Sequence, residues 1–296
     1  MPGQANQARL GWIRRLSAVA TRPALALLLL GIAAPDARAG SVAFEDDGMV
    51  PAGHWQLNTI VGVYPLDQKV TGSVVANLDP AQAAVLTQIS EEFRYGISDR
   101  LMIRTTLPLD AQIVGTGALA EGLGDSELFL KGALLDPAGP LGLTVGLQGI
   151  FPTAVPALFS LNGSPNLQAT VVLRTNLPVG EIVGTAGYFH AFDQRLDGQA
   201  FHPPDSVPYA LGWNVDVDPS LNLAIEGVGS EGFSASEDGV PVSGTAYRQV
   251  TVGPGCTWSF SPTLDLQASL QFAVLRQGTS PASSPVSGLF LLQRVL

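Results

Sequence analysis

The sequence contains a single cysteine, few charged residues and no long apolar run beyond its first 39 residues. Because Cys256 has no partner for an intrachain disulfide, an exported chain of 296 residues must be stabilised in another way. Beyond residue 39, no segment approaches the roughly 18 consecutive apolar residues that indicate a transmembrane helix. The sequence therefore excludes a helical membrane protein.

Residues 1–39 have the three parts of a secretory signal peptide. Four arginines precede an apolar run over residues 23–34, and Ala37–Ala39 forms a small-x-small cleavage signal before Gly40. An N-terminal membrane anchor is the less favoured alternative, since a helix that spans a bilayer needs roughly 20 residues. A lipoprotein is not expected, because Gly40 stands where a lipoprotein would have cysteine.

The net charge of the chain indicates which kinds of partner it can bind. Removing residues 1–39 leaves 15 − 5 = 10 basic and 25 − 1 = 24 acidic residues, a net charge of −14. Nucleic acid is not an expected partner, because phosphate binding needs clustered lysine and arginine. The chain is 46% hydrophobic and only 14% charged, which is typical of a membrane β-barrel whose strands are apolar on one side only.

Apolar and polar residues alternate in stretches of roughly ten residues, separated by glycine, proline, asparagine and aspartate. Leu266 and Leu270, for example, lie on one face of a predicted strand, and Gln267 and Gln271 lie on the other. We predict twelve such strands, near residues 54–64, 86–95, 100–108, 123–134, 141–151, 166–175, 180–189, 206–217, 221–229, 245–257, 264–275 and 286–296.

The connections between these strands decide between two architectures. They alternate between long and short along the chain, as in an up-and-down membrane barrel with short periplasmic turns and long outer loops. A Greek-key sandwich would mix hairpins with crossovers and gives no reason for strict alternation. The long connections are predicted at 65–85, 109–122, 152–165, 190–205, 230–244 and 276–285. The pattern favours an antiparallel transmembrane β-barrel of about twelve strands over a soluble periplasmic sandwich or ligand-binding barrel.

Aromatic residues at strand ends fit this interpretation, because membrane barrels carry aromatic girdles at both interfaces. The predicted girdle residues are Trp55, Tyr64, Tyr95, Phe151, Tyr247 and Trp258, whereas Trp213 lies mid-strand and fits an ordinary core position better. Two features fit poorly. Glu91 falls on a face that should meet lipid, and the last strand ends in Leu296 with weak alternation that does not define its facing.

Charged residues collect on the faces that are predicted to line the lumen. A cation that faced lipid would cost about 2–4 kcal/mol at mid-bilayer. One interpretation is a structural network of ion pairs, which the mixed signs favour, and the other is a charged constriction that selects what passes. The candidate lumen-lining residues are Glu92, Arg94, Arg104, Glu127, Lys131, Arg174 and Glu226, with Asp125 on the same face.

No enzyme site is predicted. The sequence lacks a nucleophile elbow, an H-E-x-x-H motif and a P-loop. His190, Asp193, Asp197 and His202 flank one long loop, but their spacing matches no metal motif, and ordinary polar loop residues are the commoner explanation. We therefore assign no catalytic residue, metal or cofactor.

Several segments resemble one family of outer-membrane proteins. The segments are Glu45-Asp46-Asp47 with Pro51–Leu57, Tyr95–Leu101, Leu107-Pro108, Gly122–Asp125, Phe151–Thr153 and Leu221–Glu226. Together they resemble the "MetA-pathway of phenol degradation" family. The resemblance implies a barrel that moves small, often aromatic or hydrophobic, organic compounds across the outer membrane. Members of such families usually end in an aromatic residue, and this chain does not.

The predicted organisation is a signal peptide over 1–39, a short periplasmic segment over 40–53 and an outer-membrane barrel over 54–296. The predicted function is a channel or transporter for small organic solutes. The alternative is a non-transporting surface protein that acts through its long outer loops. The expected partners are outer-membrane lipid, the barrel-assembly machinery and the solute, whose identity the sequence does not give.

Overall fold

The computed structural model describes residues 48–296 except 137–138, 156–163, 197–198 and 284. The predicted signal peptide over 1–39 lies outside the described residues, as do residues 40–47. Within the described part of the chain, no helix is long and apolar enough to cross a membrane.

Twelve antiparallel strands form a closed barrel, which confirms the predicted fold class and strand count. Nineteen strands, β1 to β19 in chain order, are assigned in the described residues. The barrel strands are β1 (Trp55–Leu66), β4 (Ala84–Ser98), β5 (Leu101–Val114), β7 (Ser126–Ala133), β8 (Leu141–Phe151), β9 (Asn166–Asn176), β10 (Glu181–Ala191), β13 (Ser206–Asp218), β14 (Leu221–Gly232), β17 (Tyr247–Ser261), β18 (Leu264–Ser283) and β19 (Val286–Val295).

Each barrel strand pairs with the barrel strands that precede and follow it in the chain, so the topology is up-and-down. Two strand pairings close the sheet into a barrel. β17 pairs with β18, and β1 pairs with β19 in a register that sets Gln56 opposite Val295. A closed sheet has no unpaired edge, which is the condition for spanning a bilayer with strands. The end with the short turns is the periplasmic end.

The remaining strands lie in the long connections. These are β2 (Gln68–Gly72), β3 (Val74–Asn77), β6 (Leu119–Leu123), β11 (Gln194–Leu196), β12 (Gln199–His202), β15 (Ser236–Glu237) and β16 (Val240–Pro241). The last four form a separate sheet that joins two neighbouring outer loops. The predicted loop at 276–285 was wrong for most of its length. β18 continues to Ser283 there, because β2 offers its backbone groups as a further hydrogen-bonding partner.

Burial is inverted relative to a soluble protein. Leu211 and Leu270 are 61% and 47% exposed, whereas Gln271 is 3% and Glu226 is 1% exposed. Apolar side chains on the outside and polar ones on the inside are the pattern of a membrane barrel. The last strand follows it only in part: Phe290 is exposed outside and Gln293 is buried inside, but Leu291 and Val295 are buried on the same inward face as Gln293.

Aromatic side chains surround the outer surface at both ends. At the periplasmic end, Trp55 packs against Tyr95 with ring centroids 4.6 Å apart, and Trp258 stacks on Phe260 at 5.4 Å. Trp213 also belongs here, so its assignment to a core position was wrong. It is 44% exposed, and its indole N–H donates to the Val179 carbonyl in a short turn.

Two predicted girdle residues point inward instead. Tyr64 shares the face of the buried Asn58, and its ring lies over Gly62. Tyr247 lies over Gly232, and its hydroxyl is 3.4 Å from that of Ser230 on the lumen face. Both residues stand at the ends of strands, so sequence position alone could not distinguish an interfacial ring from a ring that fills space above a glycine.

Candidate functional site in the barrel lumen

Strand alternation directs the polar face of each barrel strand into the lumen. Of the seven predicted lumen residues, Glu92, Arg104, Lys131, Arg174 and Glu226 are buried, while Arg94 and Glu127 are partly buried. Glu92, Arg94 and Arg104 come together in one cluster. The other four lie at separate positions around the wall, with different partners.

The central cluster joins β1, β4 and β5. Arg94 and Arg104 are cross-strand partners, so two like charges lie side by side in the lumen. Glu92 lies between them and neutralises part of this charge: its Oε2 accepts from Arg94 at 2.8 Å, and its Oε1 is 3.7 Å from Arg104. Asn58 donates to the same Oε2 at 3.0 Å. The carboxylate therefore fixes both guanidinium groups against the wall.

Phe129 is a lumen residue that the sequence reasoning missed. The guanidinium carbon of Arg104 lies 4.5 Å from the centre of its ring, which is a cation–π contact. Its ring covers Gly146 on the neighbouring strand, where any side chain would overlap it. Phe129 shares the strand face of Glu127 and Lys131, so the period-two alternation could have identified it.

Lys131 connects the wall to the chain that precedes β1. Its side chain is 1% exposed, and its Nζ donates to the Gly48 carbonyl at 3.0 Å. The buried Val50 follows in this segment, and the backbone at 50–51 passes so close to Gly96 that a Cβ there would overlap its carbonyl oxygens. Since Gly96 lies on the lumen face of β4, residues 48–53 occupy part of the periplasmic mouth.

Arg174 lies near the same end of the barrel, on β9, two barrel strands away from Lys131 on β7. It donates to Asn176 at 2.7 Å and to the Gly139 carbonyl at 2.9 Å, and it lies 3.8 Å from Glu181. These contacts tie one short turn to the ends of β9 and β10. Arg174 is therefore an anchor for the periplasmic rim as well as a lumen cation.

Glu226 and Glu127 accept hydrogen bonds from neutral side chains. Glu226 accepts from Ser269 at 2.9 Å and from Gln271 at 3.4 Å. Glu127 accepts from the Gln148 amide at 2.7 Å. These contacts link β14 to β18 and β7 to β8.

The extracellular half of the lumen has a different lining. Ile150 shares the strand face of the buried Gln148, and Pro108 shares that of Asp110. Phe189 and Pro208 take the corresponding inward positions on β10 and β13, and Tyr64 does so on β1. We call these apolar and aromatic side chains the apolar vestibule. They lie among polar residues: Asp110 is on the same face as Pro108 and nearer the extracellular end, and Glu127 is the cross-strand partner of Ile150. A solute that enters from outside therefore meets a lining in which apolar, aromatic and polar side chains are mixed.

Comparison with solved structures gives the same fold. The COG4313 outer membrane channel from Pseudomonas putida F1 matches with a TM-score of 0.69 and 16% identity, covering 83% of this chain and 97% of that chain. The NanC porin matches with a TM-score of 0.46 and 12% identity, covering 80% and 98%. The Pseudomonas putida toluene transporter TodX matches with a TM-score of 0.41 and 11% identity, covering 83% and 91%. The first of these matches, the one with a TM-score above 0.5, shows that this chain has the fold of an outer-membrane β-barrel.

Sequence comparison identifies the family. A search of curated protein sequences finds no match. The model of the family described as "MetA-pathway of phenol degradation" matches residues 86–280, which is about two thirds of the chain and runs from β4 into β18. The earlier resemblance, which rested on separate short motifs, is thereby confirmed over a continuous stretch. The chain belongs to the MetA-pathway of phenol degradation family.

Proposed function

We propose that the barrel is a passive channel for small organic solutes with an apolar, often aromatic, part. The observation that carries this proposal is the lining of the extracellular half of the lumen, where the apolar vestibule lies beside polar residues such as Asp110 and Gln148. The apolar and aromatic side chains favour partition of the solute out of water. The polar groups beside them let the solute exchange back into water, so binding stays weak enough for release.

Two further observations support passage of small solutes. A twelve-strand barrel is wider than the eight-strand kind that side chains fill and narrower than the 16–18-strand porins with open channels. Residues 48–53 take up part of the periplasmic mouth, which restricts the opening further. The family description, phenol degradation, agrees with an aromatic cargo. Outer-membrane lipid and the barrel-assembly machinery are the other partners that we propose.

Conductance across a planar lipid bilayer tests the channel directly. The refolded protein should give small, stable single-channel currents. A barrel that is shown to be folded by heat modifiability yet gives no current and no solute uptake would contradict the proposal. That result would favour the alternative of a surface protein that acts through its outer loops, among which the sheet of β11, β12, β15 and β16 lies.

The apolar vestibule can be tested with neighbouring residues on opposite faces of β8. Ile150→Ser places a hydroxyl inside the vestibule, whereas Phe151→Ser changes a side chain that is 46% exposed outside. Proteoliposome uptake of benzyl alcohol should fall relative to that of glycerol in the first variant and keep its ratio in the second. An unchanged ratio in both variants would show that the vestibule does not select the solute.

The lumen charges should set ion preference, because a narrow and partly desolvated pore strengthens their field. Replacing Arg104 and Arg174 by glutamine should shift the reversal potential toward cation selectivity. Replacing Glu127 and Glu226 by glutamine should shift it the other way. Thermal unfolding is measured alongside, since these groups also bind neighbouring strands. Identical reversal potentials in folded variants would mean that ions do not pass these residues.

A further inference from the structure

A second cluster of polar side chains lies at the extracellular rim, away from the cluster of Glu92, Arg94 and Arg104 in the lumen. It joins His190 near the end of β10, His202 at the end of β12 and Asp205 just before β13. The Oδ1 of Asp205 is 3.1 Å from the Nδ1 of His190 and 3.4 Å from the Nε2 of His202. The three potential ligand atoms all lie within 4.8 Å of one another.

These spacings fit the edges of a metal coordination tetrahedron. Zinc binds histidine nitrogen and carboxylate oxygen at about 2.0–2.2 Å, so two tetrahedral ligands are about 3.3 Å apart. The two measured separations, 3.1 and 3.4 Å, bracket this value. An ion could therefore be held with little rearrangement. Imidazole and carboxylate together form a donor set that suits divalent transition metals.

The surrounding groups also orient the candidate ligands. Asp193 lies 2.8 Å from the Nδ1 of His202, which leaves the Nε2 of that ring directed at Asp205. Tyr188 donates to the Oδ2 of Asp205 at 2.6 Å, and the Ala191 amide donates to its Oδ1 at 2.9 Å. A carboxylate that holds the second nitrogen of a histidine is a regular feature of metal sites.

The hydrogen bonds to Asp205 also act on the pKa of its carboxyl group. Burial acts to raise the pKa of this carboxyl group, but the hydrogen bonds from Tyr188, the Ala191 amide and His190 together outweigh it. The pKa of Asp205 therefore lies below its usual range.

We propose that His190, His202 and Asp205 bind one divalent transition-metal ion of the zinc class, with the fourth position open to water or solute. Asp193 and Tyr188 act as positioning residues for this site. The ion would join β10, β12 and the start of β13. Because His202 pairs with Ser236 of the next outer loop, the ion would also fix the small sheet of β11, β12, β15 and β16.

Isothermal titration of zinc chloride into the detergent-solubilised protein, purified without a histidine tag, tests the site. We expect binding of one ion per chain in the wild type and its loss in a His190→Ala, His202→Ala double variant. Asp193→Asn should weaken zinc binding by about 10- to 100-fold, the usual effect of losing such a positioning group. His54→Ala is the matched control, since His54 lies at the periplasmic end, and it should bind zinc like the wild type.

Three results would overturn the proposed zinc site. No zinc binding to the folded wild type would reduce the cluster to hydrogen bonds between histidine and aspartate. Binding retained in the double variant, or lost in His54→Ala, would place the ion elsewhere. Heat modifiability checks that each variant forms the barrel. Channel conductance does not enter the test, so its outcome is independent of the proposed transport function.

Discussion

Replacing Glu92 by glutamine tests the central lumen cluster, because this carboxylate contacts both Arg94 and Arg104. The glutamine keeps the size of the side chain but removes the charge. Two guanidinium groups on adjacent strands would then face each other without it. We expect the variant to fold and to unfold at a clearly lower denaturant concentration than the wild type.

The magnitude follows from burial and geometry. The Glu92 side chain is 8% exposed, and it accepts hydrogen bonds from Arg94 and Asn58. Removing one partner of a buried ion pair costs about 3–5 kcal/mol. Because Arg104 stays at 3.7 Å and keeps its contact with Phe129, we take the lower end of that range, about 3 kcal/mol.

The adjacent residue supplies a matched control. Glu91 is on the same strand but on the outer face, where it accepts a hydrogen bond from the Thr59 hydroxyl at 2.9 Å. Glu91→Gln makes the same chemical change but removes a charge that faces lipid, so it should leave stability unchanged or raise it. Urea unfolding of the barrel in lipid vesicles, followed by tryptophan fluorescence, measures both. Equal midpoints for Glu92→Gln, Glu91→Gln and wild type would refute the assigned role of the cluster.

Three other predictions follow from the barrel geometry. Leu211→Arg should destabilise the barrel in lipid vesicles by about 2–4 kcal/mol relative to Gln271→Arg, because only the first places a cation against lipid. Equal losses of unfolding free energy in the two variants would mean that the faces are misassigned. Gly96→Ala should lower the unfolding temperature, since its Cβ would overlap the Pro51 carbonyl, and deletion of residues 48–53 should remove this effect. The mature protein should begin at Gly40 in the outer-membrane fraction, and N-terminal sequencing of that fraction would show an uncut leader if the cleavage signal is wrong.

The barrel could be predicted from the sequence because a membrane strand repeats one simple pattern. Side chains alternate between lipid and lumen, so Leu270 and Gln271 reveal both faces without knowledge of any partner strand. Strand count followed from the alternation of turn lengths. Where the prediction failed, the cause was pairing beyond the bilayer, as in the extension of β18 to Ser283 alongside β2.

The site was less predictable because its features depend on residues that are distant in the sequence. Alternation assigned Glu92 and Arg104 to the lumen face but could not show that Glu92 lies between two arginines. Lys131 contacts Gly48 although three barrel strands, β1, β4 and β5, lie between the two residues in the sequence. No local sequence pattern indicates this contact. The spacing of His190 and His202 matches no metal motif, so no metal site was predicted there. Asp205, the third residue of the cluster, follows β12 in the chain, and only the fold brings it next to both histidines.

The seam between β1 and β19 sets the order in which this barrel can be assembled. Before β19 pairs with them, β1 and β18 each have an edge with unpaired backbone N–H and C=O groups. Such unpaired groups are too costly to place in the hydrocarbon core of a bilayer. Closure joins the first and last barrel strands, so it is also the contact with the largest loop-closure cost. A chain truncated before Val286 would therefore stall as an open sheet, and insertion into the bilayer has to wait until the final strand pairs with β1.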